Sequence, residues 1–329
     1  MDHVRWGILG AAKLARTTMA QACQVAEGGT FAALATRDRA KAAPFVALNP
    51  DLRVHDSYDA LLADPEIDAV YIPLPNHMHV EWTIKALEAG KPVLVEKPLG
   101  MNVADYDKVI EARDRTGLTT VEAFMIPHHP QWQKARELYR EGAIGKLVNV
   151  TASFSYDNRN EASNIRNRVE TGGGAIPDIG VYIFGSVRLV TGEEPEELHD
   201  VRIRRENGVD VWAHVTARFP SFQYAGMVSM RAAPWQEVTF HGEGGVMRLV
   251  APFNPRVFGE ARVMLSRVDH RGGGSEVTEW RYPTADHYVA QIEAFNRCLL
   301  EGAEVTVPLE FGRGTQEMID RVYAAERGV

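Results

Sequence analysis

Over its first 123 residues this chain alternates short apolar, β-branched runs with stretches of helical spacing, and no other property restricts its fold so strongly. The runs fall at 4–9, 31–35, 53–55, 69–72, 93–96 and 119–123; helical spacing fills 13–26, 39–47, 58–62, 80–89 and 103–115. Strands that alternate with helices read as βαβ units around a doubly wound parallel sheet, so the class expected here is α/β. The punctuation agrees. Gly90 and Gly117 stand just past helix ends, where a left-handed residue is wanted, and Ser57 is placed to cap the helix that starts at Tyr58.

After Phe124 the rhythm changes. The spacing predicts helices over 130–141 and 178–190, a strand near 147–155 and a long polar loop at 157–174. Extended segments follow, including 211–219, 224–230, 237–241 and 262–267, and helices over 287–300 and 309–327 close the chain. In 211–219 the small and apolar residues take every second place, the pattern of a half-buried antiparallel strand. Its other face carries Trp212, His214 and Arg218, which points to a partner subunit, a homodimer or homotetramer, rather than open water. At 329 residues the chain exceeds what one hydrophobic core usually holds, so two domains are expected, 1–123 and 124–329.

Bulk properties exclude several function classes. A net charge of -8 leaves no basic footprint for nucleic acid. No apolar stretch approaches the roughly 20 residues that cross a bilayer, and Met1-Asp2-His3 opens straight onto a strand rather than a signal peptide. Cys23 and Cys298 have neither ligand spacing nor a disulfide framework, so both read as small core residues in a reducing, cytoplasmic compartment.

The first strand runs into Gly10-Ala11-Ala12-Lys13-Leu14-Ala15, a G-x-A-x-x-A form of the dinucleotide fingerprint. Gly10 permits the tight turn, Ala12 leaves little between backbone and pyrophosphate, and Ala15 lets the helix approach the sheet. The helix amino end, at Ala11 to Leu14, then offers N–H groups and partial positive charge to phosphates. The second strand ends at Thr36-Arg37-Asp38-Arg39. A 2′-phosphate wants a small hydroxyl and an arginine, as Thr36 and Arg37 provide, whereas an NAD site would use Asp38 on the ribose. NADP is therefore the expected cofactor, with NAD as the alternative.

Val93-Leu94-Val95-Glu96-Lys97-Pro98 ends a buried strand on an ionisable pair, at the edge where open α/β sheets place ligands. Pro98 restricts Lys97 to extended backbone and allows a cis bond. The loop Pro73-Leu74-Pro75-Asn76-His77-Met78-His79 follows the fourth strand, where it would pack against nicotinamide. His77-x-His79 has the look of a metal pair, but no third or fourth ligand follows at useful spacing, so no metal is expected. His128-His129 opens the second domain, with His128 a candidate for substrate hydroxyls and a structural histidine the alternative.

Taken together, Gly7-Ile8-Leu9-Gly10-Ala11-Ala12, Glu96-Lys97-Pro98 and Gly172-Gly173-Gly174-Ala175-Ile176-Pro177-Asp178-Ile179-Gly180-Val181-Tyr182 resemble the glucose-fructose oxidoreductase, inositol dehydrogenase and rhizopine-catabolism family over essentially the whole chain. The resemblance implies a nicotinamide-binding Rossmann domain followed by an α+β domain with a large, mostly antiparallel open sheet that mediates oligomers. It implies cofactor contacts at Glu96 and Lys97 and puts Arg166 within reach of cofactor or substrate; Asn164, in the same polar loop, is a candidate donor to a hydroxyl-rich substrate. Many members carry histidine where this chain has Tyr182; the tyrosine form is similar to the dimeric dihydrodiol dehydrogenase and NADP-dependent xylose dehydrogenase branch.

The chemistry of Asp178 and Tyr182 follows from spacing. Residues four apart share a helix face, so the carboxylate and the phenol can serve one substrate. Hydride transfer from an alcohol carbon requires removal of the hydroxyl proton, and the reverse reaction requires a proton donor. A free tyrosine titrates near ~10, too high for an efficient base, but an ammonium such as that of Lys97 favours phenolate. The alternative makes Asp178 a helix cap and Tyr182 a core residue. The expected activity is hydride transfer between nicotinamide and a sugar or polyol, with Lys97, Asp178 and Tyr182 catalytic. Its rivals are a trans-dihydrodiol dehydrogenase and a non-catalytic dinucleotide-binding regulator.

Overall fold

Six short strands, β1 (Val4–Leu9), β2 (Gly29–Ala35), β3 (Arg53–His55), β4 (Ala69–Ile72), β5 (Val93–Val95) and β6 (Thr120–Glu122), form one sheet. The computed structural model describes residues 2–268 and 274–328, so the opening Met1 lies outside the described residues. The order is β3-β2-β1-β4-β5-β6 with every pair parallel. Such a doubly wound sheet reverses its winding between β1 and β4, and the crevice outside the carboxyl ends there is where ligands bind. Both faces are covered. Ala69, Val70, Tyr71, Ile72, Val93, Leu94 and Val95 have no exposed surface, which is why β4 and β5 read as continuous apolar runs.

The helix expected over 13–26 runs from Lys13 to Val25 and contains a π-helical turn at Ala15–Met19. A turn wider by one residue leaves the apolar spacing nearly unchanged, so the sequence does not announce it. The helix at Tyr58–Leu62 is capped by Ser57, whose hydroxyl accepts from the Ala60 N–H. Gly117 is left-handed at the end of Val103–Thr116.

The chain divides into two compact units: residues 1–128 with 286–313, and residues 129–285 with 314–329. The return of 286–313 to the first unit departs from a division into two contiguous segments. Ile292 and Phe295 of the helix His287–Glu301 join Val4, Trp6 and Phe31 in one core. Trp6 Nε1 donates to Asn296 Oδ1 at 2.9 Å, and Asn296 Nδ2 donates to the Glu27 carbonyl at 2.8 Å. An amphipathic pattern shows that a helix buries one face; it does not show which core receives it.

The second unit is built on a nine-stranded sheet of β7 (Leu147–Asp157), β8 (Glu197–Glu206), β9 (Val209–Arg218), β10 (Gln223–Ser229), β11 (Arg231–Gly242), β12 (Val246–Val250), β13 (Ala261–Val268), β14 (Ser275–Tyr282) and β15 (Arg327–Gly328). All its pairs are antiparallel except β7 with β10 and β8 with β15. In β9, Val211, Ala213, Val215 and Ala217 are buried while Trp212, His214, Thr216 and Arg218 are half-exposed, as the alternation required. β8, β12, β14 and β15 are not among the segments named from the sequence. β14 sets an exposed face against a largely half-exposed one, with no buried residue, so it has little hydrophobic contrast to detect. Among the described residues no helix is long and apolar enough to cross a membrane.

Candidate active site

Each unit contributes its own cluster. In the first, the turns after β1, β4 and β5 lie at the carboxyl edge of one sheet. Gly10 has φ +100°, and a Cβ there would stand 3.0 Å from Leu74 Cδ2 and 3.4 Å from the Tyr58 hydroxyl. A side chain would therefore fill the space between the first turn and the loop after β4. Ala11, Ala12 and Leu14 are half-buried, Lys13 is exposed, and Ala15 is buried against the sheet. This is a cradle of the shape a dinucleotide pyrophosphate needs, beside the free N–H groups of a helix start.

At the end of β2, Thr36 is buried and its hydroxyl is held in the turn, donating to the Asp38 carbonyl at 3.2 Å and accepting from the Asp38 N–H at 3.3 Å. Asp38 caps the next helical turn by accepting from Ala40 N–H at 3.1 Å. Arg39 forms a bidentate pair with Asp56, at 2.7 and 2.9 Å. Arg37 is exposed beside them.

His79 departs from the expectation of a cofactor contact. It has no exposed surface, and its Nδ1 and Nε2 lie 2.8 Å from the Pro98 carbonyl and 2.7 Å from the Leu74 carbonyl. Burial pushes its pKa down to about 4, against the pull of the two carbonyls. A neutral ring donates to one carbonyl at a time, so His79 fastens the loop after β4 to the turn after β5. Within the former, Pro73 is buried and Asn76 half-buried. Glu96, buried, accepts from Tyr71 Oη at 2.6 Å and from the Lys97 N–H at 3.2 Å. Lys97 is half-buried and its bond to Pro98 is cis. His128, half-buried, lines a small pocket with Gln291 and Cys298, and burial pushes its pKa down to about 4.

In the second unit Asp178 lies in a π-helical turn, Ile176–Gly180, that runs into the helix Val181–Thr191 carrying Tyr182. Both side chains are buried, at 8% and 5% exposure. Asp178 is not a cap. Its Oδ2 accepts from Tyr156 Oη at 2.7 Å and lies 2.8 Å from Arg166 Nε. The Asp178 charge is the main cause that raises the Arg166 guanidinium, with burial opposing it, so the guanidinium stays charged. Tyr156 is pushed upward by burial first and by Asp178 second, which keeps it the donor.

Asp210 carries the start of this helix. It is buried, accepts from the Ile176 N–H at 2.7 Å and from Tyr323 Oη at 2.7 Å. Gly174, at φ +139°, passes so close that a Cβ would fall 2.3 Å from Asp210 Oδ1. Tyr182 packs against Phe154 and Phe253, at 5.6 and 5.4 Å between ring centroids.

The polar loop is more self-contained than its composition suggests. Asn164 caps a short turn by accepting from the Arg166 N–H and donates to Glu161. Asn158 accepts from Arg231, and Arg159 donates to Asp157. Arg166, which the resemblance puts within reach of cofactor or substrate, is engaged with Asp178 in its own unit. Sequence reasoning missed Tyr156, Asp210 and Tyr323. Tyr156 had a signal, since it shares strand parity with the buried Ala152 and Phe154; the other two lie more than 30 residues from the atoms they bond. Among the described residues no group of three or more His, Cys, Asp or Glu side chains could hold a metal.

A doubly wound sheet with a glycine-turn cradle and a basic residue at the end of its fifth strand defines a dinucleotide-dependent oxidoreductase. The comparisons agree. Residues 4–124 match the oxidoreductase family model of NAD-binding Rossmann fold named GFO/IDH/MocA, and residues 132–248 match the C-terminal domain of the same family. The chain is 33% identical to a D-xylose 1-dehydrogenase (NADP(+)) from Haloferax volcanii, over 98% of each chain. It is also 33% identical to a dTDP-3,4-didehydro-2,6-dideoxy-alpha-D-glucose 3-reductase from Saccharopolyspora spinosa, over 98% of this chain and 96% of that protein. A 3-ketoreductase from Actinomadura kijaniata, solved in complex with NADP and TDP-benzene, superposes with a TM-score of 0.90 at 28% identity over 99% of both chains. The chain belongs to the GFO/IDH/MocA oxidoreductase family.

Proposed function

We propose that this chain is an NADP-preferring dehydrogenase or reductase that works on a CH–OH or carbonyl group of a sugar or polyol. The observation that carries the reading is the carboxyl edge of the first sheet, where the Gly10 cradle, the loop Pro73–Pro75 and Lys97 follow β1, β4 and β5. Similarity to NADP-dependent sugar enzymes supports the choice of substrate and cofactor. Arg37, with Thr36 in the turn before it, is the proposed partner of the 2′-phosphate.

When bound, the nicotinamide supplies or accepts the hydride. Tyr182 holds or takes the proton at its Oη, and Lys97 provides the positive charge that favours phenolate. Asp178, fixed by Arg166 and Tyr156, orients the substrate hydroxyl as an acceptor. Glu96 and His79 act earlier, by holding the turn from which Lys97 extends.

The aromatic surroundings of Tyr182, formed by Phe154 and Phe253 with Phe258 on Phe154, favour a second reading, oxidation of an apolar trans-dihydrodiol. Purified protein given NADP or NAD with aldoses, dTDP-linked ketosugars and dihydrodiols, followed at the nicotinamide absorbance, separates the readings. Turnover on none of them would favour a regulator. On the best substrate, Tyr182→Phe and Lys97→Met should each lower turnover by about 10²–10⁴ while cofactor binding persists. The double variant should lose little more, because the pair acts as a unit. Two free cysteines support a reducing, cytoplasmic location, which cell fractionation checks.

A further inference from the structure

A carboxylate one turn from a phenol is a poor companion for phenolate. Two negative charges a few ångströms apart oppose each other, and the second ionisation moves upward. Asp178 holds this position relative to Tyr182, on the same helical stretch. The second unit has an answer. Arg166 reaches back from the loop after β7 and sets its Nε 2.8 Å from Asp178 Oδ2, while Tyr156 Oη closes the same oxygen at 2.7 Å.

We propose that Arg166 is a positioning residue of the proton transfer: locked on Asp178, it is the fixed cation that keeps the Asp178 carboxylate from opposing ionisation of Tyr182. The inference rests on Tyr182 as the proton-transfer group. The Arg166 charge is also felt at Tyr182 directly, since the two interact electrostatically. Tyr156 comes from β7 and donates to Asp178, and behind it Arg231 from β11 is bonded to Glu206 and Asn158. Phe154 and Phe253 supply uncharged walls. The geometry has a functional consequence. The positive charge stays inside the second unit whether or not Lys97 is near, so the phenol is prepared before substrate arrives.

The test reads Tyr182 without turnover. Alkaline titration of tyrosinate absorbance in the whole enzyme, minus the same titration of Tyr182→Phe, isolates the ionisation of this one phenol. In Arg166→Met that ionisation should move up by about one pH unit or more, within the range that a lost opposite charge produces. Arg166→Lys should restore most of the shift, and Arg166→Met with Asp178→Asn should reverse it, because both charges are then gone. The pH limb of kcat/KM that disappears in Tyr182→Phe should move with it, while the KM for NADP stays unchanged. Should Arg166→Met fail to fold, Arg166→Gln keeps a hydrogen-bond donor without charge and is expected to give the same shift. A Tyr182 ionisation that does not move in a folded, Tyr182-dependent variant overturns the inference alone. Full turnover in Tyr182→Phe instead removes the reading beneath it.

Discussion

Arg37 is the side chain on which the proposed preference for NADP turns. Its neighbours are committed: Asp38 caps a turn and Arg39 is paired with Asp56, which leaves Arg37 exposed beside the buried Thr36. An arginine–phosphate contact contributes on the order of 1.5–3 kcal/mol, so Arg37→Ala should weaken NADP at least tenfold and leave NAD nearly unchanged. Fluorescence titration with both nucleotides checks this, and equal losses would place the arginine elsewhere. Residue types that pointed to chemistry did so unevenly. Lys97, Asp178 and Tyr182 stood out in the sequence because few other roles suit an ionisable group at a strand end or a carboxylate and a phenol at four-residue helical spacing. The partners of Asn164 and His79 were not legible, since a polar side chain satisfies its own loop as readily as a ligand.

Among the elements, β1 and β4 meet where the first sheet reverses its winding, and a charged clamp fastens them. Arg5 on β1 bonds Asp68, the residue just before β4, through its backbone N–H, Nε and Nη2, each at 2.8 Å. Burial pulls the Asp68 carboxyl upward, but the Arg5 bonds, with Lys91 nearby, outweigh it and hold the group below the usual carboxylate range. A carboxyl depressed in the folded state contributes stability that is complete above its unfolded pKa and is lost as pH falls through the folded value. Arg5→Met should therefore lower the urea midpoint at neutral pH, by an amount equal to about 1–3 kcal/mol. The gap from the parent should narrow as pH falls below the ordinary carboxylate range, where Asp68 protonates first in the variant and then in the parent. A gap constant across that range would mean the clamp carries no net charge effect. The strands themselves were readable, yet their clamp was not: Arg5 and Asp68 are far apart in the chain, and only sheet order made them neighbours.

At the scale of the whole molecule, the outer face of β9 presents Trp212 stacked on His214, with centroids 6.4 Å apart, and Arg218 further along. A half-exposed aromatic face on a nine-stranded sheet suits a homo-oligomer interface, and obligate interfaces bury on the order of 2,000 Å² or more. Light scattering at micromolar concentration should return a dimer or tetramer, and Trp212→Glu should shift it toward monomer; a monomeric parent protein would reject the interface. What the sequence determined by itself was everything that depends on near neighbours: the βαβ rhythm, the glycine turn after β1, the lysine held before a proline and the four-residue spacing of Asp178 and Tyr182. Hydrophobic period and turn chemistry act over a few residues, so they are written locally. Tertiary structure alone decided that residues 286–313 return to the first unit, that Asp210 and Tyr323 hold the helix of Asp178, and that Arg166 and Tyr156 close on its carboxylate. Those contacts join residues distant in the chain, and a buried polar group takes whichever partner the folded backbone brings within reach.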